Sequence, residues 1–149
     1  MKKNKDIFGF NKEKLKQWFL YWAVLALGLF LLVFLITGTW IGVEVKERCM
    51  MAQSRYEGDC VEALIQVVDG DENSFRERNY AIWTLGQLGD EKAREVLEKH
   101  YTGVIPEREP YDKGLSQYEL QKSLKLLDGG FNVTHLLWNA DVYSKLLLN

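Results

Sequence analysis

The hydrophobic and polar positions of this chain form one long apolar segment near the N-terminus, followed by shorter amphipathic segments. Residues 17–43 contain no charged side chain, and residues 18–36 are apolar throughout. A helix needs roughly 20 such residues to cross the hydrocarbon core of a bilayer. Trp18 and Trp22 lie at one end and Trp40 at the other, where aromatic rings settle at membrane interfaces. The pattern predicts a transmembrane helix over 17–43.

A buried core helix and a cleaved signal peptide are two alternatives for such a segment. The rest of the chain is too short to cover so long an apolar cylinder on all sides, which disfavours a core helix. A signal peptide has an apolar region of about 7–15 residues and a small-residue cleavage site. This run is longer, and residues 37–40 match such a site poorly. We therefore expect a signal anchor that is retained.

The charges flanking the apolar segment predict its orientation. Residues 1–16 carry six lysines, whereas the basic residues after the segment are mixed with acidic ones. A basic flank stays in the cytoplasm. We therefore expect residues 1–16 to be a cytoplasmic tail, and the protein to be a single-pass membrane protein whose C-terminal domain is extracytoplasmic.

Four amphipathic segments after residue 58 predict four helices, because their apolar residues recur at helical spacing. These stripes begin at Val61, Ala81, Ala93 and Leu120. Each is preceded by a residue that favours a helix N-cap, namely Asp59, Ser74, Asp90 and Ser116. Three of these caps, at 59, 74 and 116, have a glutamate three residues later, as in a capping box. Each stripe is followed by a glycine expected to close the helix in a left-handed conformation: Gly70, Gly89, Gly103 and Gly129.

The fold class predicted from these segments is all-α. The only prolines are Pro106 and Pro110, and both lie in one inter-helix loop. Residues 43–57 contain neither proline nor glycine, so the anchor helix is expected to continue as a stalk over 44–58.

Residues 60–101 resemble a helical repeat of the HEAT family. The resemblance is carried by the segment 60–65, then Asp69, Arg78 and Ala81, and the run Leu85-Gly86-Gln87-Leu88-Gly89-Asp90. Residues 84–88 recur loosely 39 residues later, close to the period of about 40 to 47 in HEAT repeats. The resemblance implies a short α-solenoid of about two HEAT-like helix pairs over 59–130. Glu77 and the long loop 102–115 depart from the family pattern.

The same resemblance implies a structural ion pair and a need for a cap. In the family an arginine near the start of the second helix pairs with an aspartate of the preceding turn, which implies Arg78 with Asp69 or Asp71; we take Asp69 as the candidate. Two repeats are fewer than a solenoid normally needs. We therefore expect the apolar segment 131–149 to be a C-terminal cap, with a partner-binding surface as the alternative.

Cys49 and Cys60 are the only cysteines, and we consider them a candidate disulfide between stalk and first helix. Such a bond forms outside the cytoplasm, so this prediction depends on the predicted orientation. The alternative is two small buried apolar residues.

No catalytic, cofactor-binding or metal-binding motif is recognisable in the chain. Only two histidines occur, and no Cys/His set has the spacing of a metal site. The net charge of −2 does not favour nucleic acid as a partner. We therefore expect neither enzymatic activity nor a cofactor.

The leading functional hypothesis is a membrane-tethered HEAT-like scaffold that binds an unknown partner protein on the extracytoplasmic side. Aromatic residues and arginine concentrate binding energy at interfaces. On that basis the candidate interaction residues are Trp83, Arg108, Tyr111 and Trp138. The alternative is a non-catalytic accessory subunit of a larger membrane complex, in which the anchor helix itself is an interface. The oligomeric state does not follow from the sequence.

Overall fold

The computed structural model describes residues 12–109, 113–130 and 132, and every regular element in them is a helix. In chain order these are α1 (Lys12–Gln53), α2 (Cys60–Asp69), α3 (Phe75–Leu88), a 3-10 turn (Glu91–Ala93), α4 (Arg94–His100) and α5 (Gln117–Leu127). The all-α prediction is confirmed, and the four amphipathic stripes coincide with helical segments. The C-terminal cap predicted over 131–149 lies outside the described residues, except for Asn132.

The chain divides into two compact units, Met1–Thr39 and Trp40–Asn149. In the first unit the large apolar side chains of α1 are mostly exposed around the whole helix. The hydroxyls of Thr37 and Thr39 donate to backbone carbonyls one turn earlier, each at 2.8 Å, so neither requires an outside partner. By length and composition, α1 is a candidate membrane span.

In the second unit, the C-terminal part of α1 packs in the core. Val45, Cys49 and Ala52 are buried, and their spacing of four and three residues places them on one helix face. Residues of the predicted stalk, 44–58, thus contribute one face to the domain core. That face is short and mixed with charges, which is why the sequence pattern did not reveal it.

The remaining helices form two layers around a shared core. Helix α2 packs against α3, α4 packs against α5, and α3 also packs against α5. Helix α2 contacts α4 and the 3-10 turn before it, so α2 and α4 form one layer and α3 and α5 the other. The largest fully buried apolar side chains of this core are Leu64, Val68, Ile82, Leu85, Leu97 and Leu120.

Two of the three predicted capping boxes are confirmed, and the third is half formed. Asp59 with Glu62, and Ser74 with Glu77, make both reciprocal hydrogen bonds at the starts of α2 and α3. At α5 the Ser116 hydroxyl accepts from the backbone N–H of Glu119. The Ser116 backbone N–H instead donates to the side chain of a residue on α3.

Three of the four predicted left-handed glycines have positive φ, and Gly70 does not. Its φ is −73°, whereas that of Gly89 is 65°. The reason is Asn73, whose side-chain amide donates to the carbonyl of Val67 at 3.2 Å and so satisfies the end of α2. The left-handed prediction for Gly70 is therefore wrong.

Helices α3 and α5 approach most closely at Gly86. A Cβ added there would lie 2.7 Å from Cβ and 2.8 Å from Cα of Ser123. The Ser123 hydroxyl donates to the carbonyl of Ile82 at 2.9 Å, which fastens the same crossing. Only glycine allows this distance, so Gly86 fixes the position of α5 beside α3.

Candidate interaction surface

Arg78 organises the turn between α2 and α3. Its side chain is buried, and Nε donates to the carbonyl of Val68 at 2.8 Å. Its guanidinium pairs with Asp71 at 3.0 Å, rather than with the expected Asp69. Asp69 instead contacts Lys99 at 2.9 Å and His100 at 2.8 Å. As the last residue of α2, Asp69 directs its carboxylate to α4, and Asp71 in the turn is left for the arginine.

The structure joins Cys49 to Cys60 by a disulfide, with a Cα–Cα distance of 5.0 Å. The bond connects α1 to the first residue of α2 and closes the intervening loop. The disulfide therefore acts together with the buried face of α1 to hold the C-terminal part of this helix in the domain core.

Four side chains of α3 form a surface that we call the outer face: Arg76, Tyr80, Trp83 and Gln87. They recur every three or four residues and so share one side of the helix. The buried stripe of Ala81, Ile82 and Leu85 lies on the other side. Trp83 is half-buried and packs partly against the core, so only part of its ring is available to a partner.

Helix α1 borders the outer face on one side. The Arg48 guanidinium lies 4.2 Å from the centre of the Tyr80 ring, a cation–π distance. Arg48 also binds Glu44, with Nε 2.9 Å from the carboxylate oxygen. An arginine and an aromatic ring, two groups that concentrate energy at protein interfaces, are thus held in place before any partner binds.

Helix α5 borders the outer face on the other side. One side of α5 faces α3 through Ser116, Leu120 and Ser123, which are buried. A second side faces α4, since the amide of Gln117 donates to the carbonyl of His100 at 3.2 Å. The side left beside the outer face carries Glu119, Lys122 and Leu126.

Glu119 is the most unusual polar group of this surface. Its side chain is only 15% exposed, and the Lys122 ammonium is 4.0 Å away. Within the described residues, its buried oxygen Oε2 has no hydrogen-bond partner. An unsatisfied buried acceptor costs about 1–3 kcal/mol, which a donor from a bound group would offset.

The loop between α4 and α5 presents a separate exposed surface. Arg108 is exposed there, and so is Val104, at 70% of its full area. Glu109 turns inward and accepts from the Ser116 hydroxyl at 2.6 Å and from the Gln117 backbone at 2.8 Å. Of the four predicted interaction residues, Trp83 and Arg108 lie in different elements, and Tyr111 and Trp138 lie outside the described residues.

A shallow groove of about 50 Å³ lies between α1, α2 and α3. Its apolar lining includes Ala52, Leu64 and Ala81, and its charged rim includes Arg55 and Glu77, which pair at 2.9 Å. Pockets for small molecules usually measure about 300 Å³ or more. The groove therefore suits the tip of one side chain, not a metabolite.

Hydrogen bonds and ion pairs lower the pKa values of several carboxyl groups. Hydrogen bonds from Lys92 lower the pKa of Asp59 below its usual value. Burial alone would raise the pKa of Asp69, but hydrogen bonds from Lys99 and His100 outweigh it and lower the value. The Ser74 hydroxyl, and then Arg55, lower the pKa of Glu77. These groups stabilise the packing of the helices and lie outside the outer face.

Comparison with known families supports one HEAT-like repeat. The family model described as PBS lyase HEAT-like repeat matches residues 77–101. A HEAT-like repeat is present there. The matched stretch runs from the first turn of α3 through α4, and so spans the second helix of one pair and the first helix of the next. No match to the chain was found among curated proteins or among solved structures.

Sequence reasoning missed Asn79 and Glu109, two residues that position α5. Asn79 is fully buried; its amide donates to the carbonyl of Gly114 at 3.0 Å, and its oxygen accepts from the backbone of Ser116 at 2.8 Å. A polar residue between apolar core positions was the available signal for Asn79. Glu109 carries no local signal, because its partners are set by the path of the loop.

Proposed function

We propose that this protein is a single-pass membrane protein whose HEAT-like domain, on the extracytoplasmic side, binds a partner protein through the outer face. The observation that carries the proposal is the dual role of α1. One continuous helix contains the exposed apolar segment and also the core residues Val45, Cys49 and Ala52. The helix that contains the apolar segment thus also supplies core residues of the domain from its C-terminal part.

The location outside the cytoplasm is supported by the lysine-rich tail and by the disulfide. Positive residues before a span favour a cytoplasmic N-terminus. Disulfides such as that between Cys49 and Cys60 persist in oxidising compartments and are rare in the cytosol. The two arguments are independent and favour the same orientation.

Protein binding is supported by the composition of the outer face and by the general use of helix-pair repeats. Solenoids present extended surfaces to other proteins. Here Trp83 and the stacked pair of Arg48 and Tyr80 lie along α3. Rigid aromatic and arginine side chains of this kind are the usual anchors of protein interfaces.

Orientation is tested with engineered cysteines in intact cells. A Glu98→Cys variant places a thiol on the exposed side of α4, and a Lys3→Cys variant is its cytoplasmic control. A membrane-impermeant maleimide should label the first without permeabilisation and the second only after it. The reverse pattern would overturn the proposed topology.

Partner binding is tested by crosslinking tagged full-length protein in its native membrane. We expect a discrete crosslinked product with the natural sequence, its loss with Trp83→Ala, and its retention with Tyr118→Ala, which changes an exposed ring of α5 outside this face. Thermal unfolding of each purified variant separates lost binding from lost folding. Equal products from all three proteins would exclude the outer face as the binding surface.

A further inference from the structure

We propose that residues 103–108, in the loop between α4 and α5, are a protein-binding site of their own. In this proposal the loop, held in one conformation by its two ends, enters an apolar cleft of a second protein as a bound peptide would. We call residues 103–108 the loop tip. The loop tip is separate from the outer face, and the inference does not rest on the proposed function of that face.

Both ends of the loop tip are attached to Gln117, the first residue of α5. On one side, the backbone N–H and the hydroxyl of Thr102 donate to the Gln117 side-chain oxygen at 2.7 Å and 2.9 Å. On the other side, the Glu109 carboxylate accepts from the Gln117 backbone at 2.8 Å and from the Ser116 hydroxyl at 2.6 Å. A carboxylate is favourable at the N-terminal end of a helix. The loop is therefore closed at its base, as in compact surface loops whose ends lie together.

The chain within the loop tip has little conformational freedom. The ring of Pro106 fixes its own φ and disfavours a helical conformation for Ile105, which is thereby biased towards an extended one. Gly103 has a φ of 80°, a conformation that other residues rarely adopt. A segment restricted in this way loses less entropy when it binds than a free loop does.

The loop tip exposes two adjacent aliphatic side chains. Val104 is exposed over 70% of its area and Ile105 over 39%. Among the described residues, the backbone groups of 103–108 have no backbone hydrogen-bond partner. Clefts that bind extended peptides supply pockets for side chains together with donors and acceptors for the backbone. Such a cleft matches both features of the loop tip.

The composition of the loop tip favours a protein cleft over a lipid surface. Segments that lie in a membrane interface are rich in aromatic and basic residues. The loop tip has no aromatic residue, and its one basic residue, Arg108, follows the acidic Glu107. Loops held by a rigid scaffold are, in contrast, common carriers of binding residues.

Photo-crosslinking of the full-length protein in its native membrane tests the proposal. Glu107 is replaced by p-benzoylphenylalanine, and adducts are mapped by mass spectrometry. We expect an adduct on another protein, and at least about a tenfold lower yield when Val104 and Ile105 are both changed to alanine, because five buried carbon atoms are lost. Met50→Ala, which truncates an exposed side chain of α1, should leave the yield unchanged.

A change at the base of the loop tests whether its fixed conformation matters. Glu109→Gln replaces one of the two carboxylate oxygens that bind the start of α5, and leaves every side chain of the loop tip in place. We expect the adduct yield to fall at least about twofold, because a freer loop loses more entropy on binding. Glu95→Gln, at an exposed carboxylate of α4, is the matched control. An unchanged yield in Glu109→Gln would overturn binding by a loop held in one conformation.

Several products would overturn the proposal outright. An adduct between two copies of the chain would assign the loop tip to self-association, and an adduct on phospholipid would assign it to the membrane surface. Absence of any adduct on another protein would reject the site. A captured protein whose yield does not depend on Val104 and Ile105 would do the same. Thermal unfolding of each purified variant should be unchanged at these exposed positions, which separates lost binding from lost folding.

Trp83→Ala separates this inference from the proposed function. The adduct formed from position 107 should persist in that variant, whereas the product of the outer face is lost. A product of the outer face without an adduct from position 107 would retain the proposed function and reject the loop site. Loss of the position 107 adduct in a folded Trp83→Ala protein would show that the two surfaces bind as one, and would overturn a separate site.

Discussion

Single residues decide how closely the helices of this protein approach each other. Gly86 and Ser123 bring the backbones of α3 and α5 together, and Asn79 connects α3 to the start of α5. Neither Gly86 nor Asn79 favours a helix by its intrinsic propensity. The presence of both residues in α3 is explained by their contacts with α5 and the residue that precedes it.

A Gly86→Ala substitution tests the close approach. Helix propensity alone would make alanine more stabilising by about 1 kcal/mol. The new Cβ would lie 2.8 Å from the backbone of Ser123, so we expect instead a loss of about 1–3 kcal/mol in the free energy of unfolding. Thermal or denaturant unfolding in detergent measures the change. Gly114→Ala, which meets no atom within 4 Å, should change stability little; a stabilised Gly86→Ala protein would refute the packing argument.

An Asn79→Ala substitution tests the connection between α3 and α5. It leaves the buried backbone N–H of Ser116 and the carbonyl of Gly114 without this partner, at an expected cost of about 1–3 kcal/mol. The Gln121→Ala control removes a partly buried bond to the Tyr101 hydroxyl and an exposed one from Lys125, and it should cost less. Similar losses in the two variants would show that Asn79 has no special role.

At the scale of elements, the principal feature is that the C-terminal part of α1, from Trp40 onward, belongs to the domain. Three contacts connect this part of the chain to α2 and α3. They are the buried face of α1, the disulfide to α2, and the ion pair between Arg55 and Glu77. Helix-pair repeats have exposed ends that need a cover. The C-terminal part of α1 covers one of them.

Breaking the disulfide measures how much this link contributes. Cys49 and Cys60 are 11 residues apart, and closing a loop of that length stabilises a fold by roughly 2–4 kcal/mol. We expect reductant to lower the midpoint of thermal unfolding of the natural protein, and to leave a Cys49→Ser, Cys60→Ser double variant unaffected. Insensitivity of the natural protein to reductant would mean that the bond contributes nothing to stability.

At the scale of the whole molecule, ion pairs between helices make stability depend on pH. The pKa values of Asp59 and Asp69 lie below the usual 3.8, and that of Glu77 lies below 4.5. In this range the unfolded chain binds more protons than the folded one, so stability is present above the unfolded pKa and is lost as the pH falls through the folded pKa. Because the groups are partly exposed, each contributes at most about 1 kcal/mol.

We therefore expect the midpoint temperature of unfolding to fall as the pH drops below about 5, because the unfolded chain then takes up protons at carboxyl groups that are still ionised in the folded protein. An Asp69→Asn variant loses the bonds from Lys99 and His100 as charge-assisted contacts, and should show a shallower fall over the same window. A matched exposed control is Glu95→Gln on α4. If the midpoint of Asp69→Asn falls with pH as steeply as that of the natural protein, the Asp69 carboxylate does not contribute to the pH dependence.

The helices and their boundaries were predictable because they depend on local chemistry. The stripe after Asp59 and the capping box with Glu62 lie within one turn of each other, and a local pattern of this kind folds the same way in many settings. The candidate membrane span is also a property of consecutive residues, since it depends on length and apolar composition alone.

Only the tertiary structure decided which partners the polar groups take. Arg78 pairs with Asp71, Asn79 bonds to the backbone of Ser116, and the C-terminal part of α1 packs in the core. Each of these contacts depends on how the chain folds and not on a local sequence pattern. Sequence fixes what each side chain can donate, accept or bury. The packing of the helices determines which of those groups meet, because distances between elements are set by contacts such as the one at Gly86.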